Sequence, residues 1–250
     1  MNLRSNEFND IRRYYDSVYH EAAQPYRHAS AHLLRLVSKV GIRRGQRVLD
    51  VACGTGQWLY AAGRVGAIPY GIDLSEKAID VCRTVMPAGI FYAQPAEVLP
   101  FEGGVFDIVS CLGALEHFVD PRAALTEMVR VARPDAKILL LVPNADFPTL
   151  RLGLYSGTAQ TVAKEEVLTL EEWKRLFESC GLEVRRRWRD LHVLSWSWIS
   201  SRGPAAIPLR AAQALSLRLW PLRWQYQVYH LCACSGKTPI GASPEADRRK

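Results

Sequence analysis

Residues 48–58 read VLDVACGTGQW, a pattern typical of a buried strand that turns sharply into a helix. A glycine-rich turn of this kind lets a ligand approach the backbone closely and meet unpaired N–H groups at the helix start. A second strand-like segment ends in YGIDLS, which places Asp73 at its carboxyl end. A carboxylate there can accept hydrogen bonds from ribose hydroxyls. The two segments predict a site for a ligand that contains a nucleoside, either a dinucleotide or S-adenosylmethionine.

Two residues favour one of these ligands. The dinucleotide fingerprint requires a third small residue for close packing of helix and strand, and Leu59 occupies that position. Asp50 lies inside the first strand, four residues before Gly54. A carboxylate so close to the turn would repel a pyrophosphate but attract the ammonium group of an amino-acid ligand. The residues therefore favour S-adenosylmethionine.

Strand-like and helix-like segments alternate after residue 45, which predicts a parallel α/β sheet. We expect strands near 46–51, 68–73, 89–93, 106–111, 137–143, 182–190 and 225–235, and helices near 56–65, 75–86 and 121–132. Asp120 followed by proline predicts a helix start, and the residues from Thr169 to Glu172 form a capping box before another helix. Ligands of such sheets bind at the carboxyl ends of the parallel strands, so the loops after those strands should form the site.

Four segments in order carry a specific resemblance: VLDVACGTGQ, YGIDLS, AEVLPFEGGVFDIVSCLGALEHFVDP and ARPDAKILLLVPN. Together they resemble class I S-adenosylmethionine-dependent methyltransferases, in the branch that includes ubiquinone- and menaquinone-pathway enzymes. The resemblance implies a Rossmann-like, mostly parallel sheet of seven strands with an antiparallel last strand, and S-adenosylmethionine as cofactor. The cofactor-binding residues that it implies are Asp50, Ala52, Gly54, Gly56, Asp73, Leu74, Gln94, Ala96, Cys111 and Leu112.

Two positions depart from the pattern of that branch. Pro95 stands where an aspartate would meet the adenine amino group, so adenine recognition should pass to Gln94 or to the backbone of Ala96. Gly113 stands where related O-methyltransferases carry a further acid that completes a metal site. Because two ligands alone do not make a stable divalent site, we predict that the protein binds no metal here.

The segment after the fourth strand, SCLGALEHFVDP, should pass beneath the methyl donor. Glu116 and His117 are its first ionisable pair, and we predict that they are the catalytic residues. A histidine can take the proton from a hydroxyl or amine as the methyl group moves, although His117 could instead only pack against the sheet.

Residues 191–224 are unusually apolar and aromatic, and five of the seven tryptophans fall in 188–224. We interpret 191–224 as a lid over the acceptor, with contact to a membrane surface or a dimer interface as the alternatives. The acceptor-binding residues that we predict are Tyr15, Tyr19, His192 and Trp196.

The whole chain of 250 residues is interpreted as a single domain. Its parts are an N-terminal helical cap (1–44), a cofactor-binding core (45–190), the lid insertion (191–224), the last strand (225–235) and a flexible tail (236–250). The start of the chain lacks an apolar signal core, so we expect a cytoplasmic protein, with association with a membrane as an open alternative. We expect it to act as a monomer or a homodimer.

The net charge of +7 is concentrated in residues 183–250, which contain twelve Lys or Arg and four Asp or Glu.

The predicted function is methyl transfer to O or N of an apolar, aromatic or quinone-like small molecule. The alternatives are a non-catalytic or repurposed S-adenosylmethionine-binding protein and, below it, an RNA methyltransferase. No nucleic-acid partner is expected, because SCLG stands where enzymes that methylate base amino groups carry their base-holding motif.

Overall fold

The computed structural model describes residues 3–21, 23–152, 166–192, 199–200 and 203–235 around a central seven-stranded sheet. The strands are β1 (Arg47–Val51), β2 (Ile68–Asp73), β3 (Ile90–Ala93), β4 (Phe106–Leu112), β5 (Ala132–Pro143), β6 (Leu182–Arg189) and β7 (Gln227–Cys234). Their order across the sheet is β3-β2-β1-β4-β5-β7-β6. Strand β7 is antiparallel to both of its neighbours, and the other pairs are parallel. The predicted fold, with an antiparallel last strand, is confirmed.

The helices are α1 (Leu3–Tyr14), α2 (Ala31–Val40), α3 (Gln57–Gly63), α4 (Glu76–Val85), α5 (Pro121–Val131), α6 (Pro148–Arg151), α7 (Leu170–Ser179) and α8 (Ile207–Leu219). A π-helical turn, Tyr15–Tyr19, continues α1. Both predicted helix starts are confirmed. The Asp120 side chain accepts a hydrogen bond from the Ala123 N–H, and Thr169 and Glu172 form the reciprocal capping box.

Strand β5 begins earlier than the sequence predicts, at residue 132 instead of 137. Ala132 pairs with Phe106 of β4, and after an irregularity the regular ladder resumes where Lys137 pairs with Ile108. The charged residues between these two pairs are exposed, so the alternation of apolar and polar residues gave no sign of a strand there.

Successive residues of a strand point to opposite faces, and β1 contributes to both halves of the core in this way. Leu49 and Val51 pack with the residues of α5 and α7, including Trp173. Val48 packs on the other face with α2 and α3, including Leu59. The sheet is therefore covered on both sides, as a parallel sheet requires.

Strand β2 pairs with one edge of β1, and the chain later returns so that β4 pairs with the other edge of β1. A crevice forms at such a reversal, outside the carboxyl ends of the strands. Within it, Asp50 lies between Gly71 of β2 and Ser110 of β4. The fold thus places Asp50 and Asp73 at the same edge of the sheet.

Candidate functional site

A cavity of about 370 Å³ opens at the carboxyl ends of β1, β2 and β4. This volume lies within the range of small-molecule sites. Eight of the ten cofactor residues predicted from the sequence line it: Asp50, Ala52, Gly54, Asp73, Leu74, Gln94, Ala96 and Leu112. Tyr15, Tyr19 and His117 line the same cavity. One cavity is therefore lined by most of the predicted cofactor residues, by two of the predicted acceptor residues and by the predicted base, His117.

The turn after β1 is built from left-handed residues at alternate positions. Ala52 has φ +59°, Gly54 +51° and Gly56 +80°. The left-handed region costs a non-glycine residue roughly 1 kcal/mol, so Ala52 holds this conformation only because its surroundings impose it. Part of that restraint is the hydrogen bond from the Cys53 N–H to the Ile72 carbonyl, 2.9 Å. The result is the sharp strand-to-helix turn whose residues 52–55 form one wall of the cavity.

Asp50 is a buried carboxylate held by a chain of hydrogen bonds. The Ser110 hydroxyl donates to Asp50 Oδ1 at 2.6 Å, and the Trp58 indole N–H donates to Ser110 Oγ at 2.9 Å. Burial raises the pKa of Asp50 to about 7; the Ser110 hydrogen bond opposes this rise, and the charge of Asp73 adds to it. A cationic ligand group beside Asp50 would favour the ionised carboxylate.

Asp73 ties the glycine turn to the start of α4. Its Oδ2 accepts the Gly54 N–H at 2.7 Å, and its Oδ1 accepts the Ser75 N–H at 2.9 Å. Burial raises the pKa of Asp73, while these two N–H donors and the nearby His20 oppose the rise. Each carboxylate oxygen has a second lone pair, so Asp73 can still accept hydrogen bonds from two ligand hydroxyls.

The departure at Pro95 lies in the loop after β3, the strand whose last residue, Ala93, pairs with Asp73. The Gln94 N–H donates to the Asp73 carbonyl at 2.9 Å, and Gln94 and Ala96 line the cavity on either side of Pro95. Glu97 also lines the cavity, and its Oε1 accepts the Asp120 N–H at 3.2 Å. The sequence does not predict Glu97 as a cavity residue, because its hydrogen bond with the start of α5 depends on how two loops distant in sequence pack together.

Three predicted site residues lie outside the cavity lining. A Cβ on Gly56 would point at Cys82 Sγ and Met86 Cε, so this glycine serves the contact between the turn and α4. Cys111 is fully buried in the core on the α5 side of the sheet. Glu116 is 3% exposed and does not line the cavity, whereas its neighbour His117 does. The cofactor contacts of Gly56 and Cys111 and the catalytic role of Glu116 stay predictions.

His192 also lies outside this cavity, beyond the end of β6. Its Nδ1 is bonded to Asp190 Oδ2, and Asp190 Oδ1 lies 3.3 Å from His32 Nε2. The hydrogen bond to Asp190 raises the pKa of His192. His32 Nε2 is also 3.2 Å from the Tyr229 hydroxyl. This cluster joins α2 to β6 and β7, and a contact of His192 with the acceptor stays a prediction; Trp196 falls outside the described residues.

Further residues line the cavity that the sequence did not single out. Four lie outside every motif, in the N-terminal segment and α2: Phe8, Ile11, His20 and Leu33. The others belong to the glycine turn and to the segment after β4: Thr55, Gln57, Trp58, Ala114, Phe118 and Val119. Tyr26 stabilises this arrangement, because its hydroxyl donates to the Thr55 carbonyl at 2.9 Å. In the parts of the chain that the structure describes, no group of three His, Cys, Asp or Glu side chains is arranged to hold a metal ion.

Comparison with known proteins agrees with this geometry. The family model of a methyltransferase domain matches residues 19–186. The chain is 29% identical over 161 residues to the O-methyltransferase cnsE of Penicillium expansum, covering 60% of this chain and 58% of the relative. It is 34% identical over 108 residues to a ubiquinone biosynthesis O-methyltransferase of Aromatoleum aromaticum, covering 41% of this chain and 46% of the relative. The matches thus span about half the length of these curated relatives.

Among solved structures, the fold resembles the magnesium protoporphyrin IX methyltransferase of Synechocystis PCC 6803 with bound SAH. The TM-score is 0.59 at 18% identity, over 91% of this chain and 99% of the other. The family model covers the glycine turn, Asp50 and Asp73, and the Glu116-His117 pair. The chain therefore belongs to the methyltransferase domain family, as a class I S-adenosylmethionine-dependent member.

Proposed function

We propose that the protein transfers the methyl group of S-adenosylmethionine to an oxygen or nitrogen of an apolar small molecule, aromatic or quinone-like. The observation that carries the proposal is one continuous cavity, whose lining includes the carboxylates of Asp50 and Asp73, the imidazole of His117 and apolar side chains. The relatives named as O-methyltransferases support transfer to oxygen in particular.

The residues around the turn suit the donor. In this proposal Asp50 faces the ammonium group of the methionine portion, and Asp73 accepts the ribose hydroxyls. Leu74 and Ala96 provide apolar contacts for the adenine ring, and Gln94 provides the polar side chain that Pro95 lacks. These assignments use residues that already line one wall of the cavity.

The remaining walls suit an apolar acceptor. Phe8, Ile11 and Leu33 come from the N-terminal helices, and Phe118 comes from the loop after β4. Tyr15 and Tyr19 are packed edge to face at 5.5 Å, and the Tyr19 ring also meets the His20 ring at 4.9 Å. An aromatic acceptor could pack against these rings and leave its reacting atom near His117.

Bound S-adenosylmethionine supplies an electrophilic methyl group on a sulfonium, which is a good leaving group. With the donor bound, the walls of the cavity would align the acceptor atom with the methyl group, and such alignment would lower the barrier without a covalent intermediate. The acceptor lone pair would form the new bond to carbon as the carbon–sulfur electron pair returned to sulfur. His117 takes the proton that a hydroxyl acceptor loses.

Replacing His117 with Ala should lower turnover at least about tenfold and leave the affinity for S-adenosylhomocysteine unchanged, because general-base catalysis contributes about 10²–10⁴-fold. A methyl-transfer assay and calorimetric titration measure the two quantities. His28→Ala is the matched control, since His28 is exposed and does not line the cavity. Unchanged turnover in His117→Ala would assign this histidine to packing alone.

The affinity for S-adenosylhomocysteine should rise with pH up to about 7 and then level off. Below the raised pKa of Asp50, about 7, this carboxyl is protonated and offers no charge to the ligand ammonium. Each pH unit below that value should therefore weaken binding by up to about tenfold. Calorimetry from pH 5.5 to 8.5, in buffers of different ionisation enthalpy, measures the affinity and the protons released.

Asp73 and His20 also titrate within this site, so a variant must separate them from Asp50. Asp50→Asn cannot ionise and should bind more weakly with a flatter profile over the same range. A profile in Asp50→Asn as steep as that of the unchanged protein would assign the pH dependence to other groups.

The Asp50 carboxyl should also make the ligand-free protein less stable as pH rises from about 4 to 7. The reason is that the folded protein, in which the pKa of Asp50 is raised to about 7, holds this proton more tightly than the unfolded chain does.

Calorimetric titration with S-adenosylmethionine, S-adenosylhomocysteine and NAD tests the function as a whole. Micromolar binding of both sulfur ligands without NAD, followed by methyl transfer to a member of a phenol and quinol panel, is the expected result. Binding without transfer to any member would favour the non-catalytic alternative. Transfer to RNA would favour the RNA methyltransferase.

A further inference from the structure

We propose that the outer face of α8 and the turn after it dock on an anionic lipid membrane. The outer face is defined by five exposed apolar residues together with one aromatic residue of the turn: Pro208, Leu209, Ala212, Leu215, Leu219 and Trp224. Leu209, Leu215 and Leu219 are 65%, 60% and 84% exposed. This interaction goes beyond the proposed function, which requires no membrane.

The exposed residues share one side of a helix that is firmly held on its other side. Positions 208, 212, 215 and 219 are spaced by four, three and four residues, which places them along one face. On the opposite face Ala214 is 1% exposed. Gln225 Nε2 donates to the carbonyls of Leu217 at 2.7 Å and Trp220 at 3.0 Å. The apolar face is therefore presented to the outside by an anchored helix.

The charged residues of the segment that carries the outer face have one sign. Between residues 191 and 244 the sequence contains no Asp or Glu, whereas it contains four arginines and one lysine. Arg218 and Arg223 are exposed beside the outer face, and the Arg223 guanidinium lies 5.2 Å from the centre of the Trp224 ring. An apolar helix face with arginines and a tryptophan at its border suits the interface of an anionic bilayer.

Charge also argues against a second copy of this chain as the occupant. In a two-fold dimer the same patch meets itself, so Arg218 and Arg223 of one protomer would face those of its partner. The segment has no acidic residue to compensate the repulsion, and Asp146 of the loop after β5 already pairs with Arg151. Anionic lipid head groups would instead pair with both arginines.

The outer face lies at the edge of the sheet that carries the cavity. Asn144, directly after β5, donates through Nδ2 to the carbonyls of Arg223 at 2.9 Å and Gln225 at 3.1 Å. The Phe147 ring lies 6.2 Å from the Trp220 ring, which joins the same loop to the end of α8. Docking here would bring the cavity edge close to the lipid, where an apolar acceptor dissolves.

The proposed contact is at the surface of the bilayer and does not cross it. Helix α8 has 13 residues, whereas a span needs about 20. Among the described residues, no helix combines the length and the apolar character that crossing a membrane requires.

Co-sedimentation of the full chain with lipid vesicles tests the proposal. We expect binding to vesicles of phosphatidylcholine and phosphatidylglycerol in equal parts, and binding at least about tenfold weaker to phosphatidylcholine alone. Leu215→Glu with Leu219→Glu should lower binding to the anionic vesicles by at least about tenfold. Val65→Glu is the matched control, because Val65 is 41% exposed at the opposite edge of the sheet.

A second variant, Arg218→Gln with Arg223→Gln, keeps the test valid if the glutamates unfold α8. It should lose about tenfold or more in binding to anionic vesicles and much of the salt dependence. Absence of vesicle binding, or equal binding to neutral and anionic vesicles, would overturn the proposal. A dimer in light scattering that Leu215→Glu dissociates would assign the face to a second copy.

Titration with S-adenosylhomocysteine on the same proteins keeps this inference separate from the proposed function. Intact titration without vesicle binding would overturn only the docking surface. Vesicle binding without S-adenosylhomocysteine binding would overturn only the methyl-transfer proposal.

Discussion

Replacing Asp73 with Asn should weaken the binding of S-adenosylhomocysteine by at least about a hundredfold. The carboxylate accepts the N–H groups of Gly54 at 2.7 Å and Ser75 at 2.9 Å, and it is 8% exposed. An amide has one acceptor oxygen, so its NH₂ group would face one of these N–H donors. Hydrogen bonds to charged groups contribute about 1.5–3 kcal/mol each, and a loss of about 3 kcal/mol corresponds to more than a hundredfold in Kd.

Calorimetric titration measures this loss, and Asp80→Asn is the matched control. Asp80 is an exposed carboxylate of α4 that pairs with Arg83 three residues later. Such surface pairs contribute little, so the control should bind within about twofold of the unchanged protein. A Kd for Asp73→Asn within about threefold of the unchanged protein would contradict the central place of this carboxylate in the site.

Beyond its proposed ligand contact, Asp73 connects three parts of the site. The Ser75 N–H that it accepts opens α4, and the Ser75 side chain caps that helix by accepting the Ala78 N–H at 3.1 Å. The Ser75 hydroxyl also donates to Asp16 of the N-terminal π-helical turn at 2.6 Å. The covering segment, the glycine turn and α4 are therefore linked through adjacent residues. We expect loss of the carboxylate to loosen the N-terminal cover as well as to remove the proposed ribose contact.

The donor side of this site could be predicted from the sequence because its signals are local. The turn after β1 needs glycine at left-handed positions, and the carboxyl end of β2 brings Asp73 to the same edge whatever the rest of the chain does. Helix starts such as Asp120 and Thr169 are equally local, since a cap satisfies N–H groups within three residues. Turns, strand ends and helix caps of this kind can be predicted from neighbouring residues without knowledge of distant contacts.

The cover of the cavity could not be predicted in the same way. Tyr26 reaches Thr55 across 29 positions of sequence, and His32 reaches Tyr229 across 197. Such pairs depend on how helices outside the sheet pack, and no spacing in the sequence encodes that. The same reason separates His192 from the cavity: its neighbour Asp190 is turned toward α2, where His32 approaches the same carboxylate.

Replacing Gly56 with Ala should lower the free energy of unfolding by about 3 kcal/mol. A Cβ at this position would lie 2.8 Å from Cys82 Sγ and 2.7 Å from Met86 Cε, and the backbone has φ +80°. The Met86 methyl can rotate away, but Cys82 is fully buried on α4 and cannot. Overpacking costs about 1–3 kcal/mol and a left-handed alanine roughly 1 kcal/mol more. Urea denaturation followed by circular dichroism measures the change.

Two other glycines separate the contributions to that cost. Gly45 has φ +81° with nothing within 4 Å of an added Cβ, so Gly45→Ala reports the backbone conformation alone, about 1 kcal/mol. Gly63 ends α3 with equally open space and an ordinary φ, so Gly63→Ala should be neutral or stabilising by up to about 1 kcal/mol. If Gly56→Ala cost no more than Gly45→Ala, the turn and α4 would not be tightly packed. If Gly56→Ala instead costs about 2 kcal/mol more than Gly45→Ala, as predicted, the glycine turn is tightly packed against Cys82 of α4. The Cys82 thiol also donates to the Gly54 carbonyl at 3.3 Å.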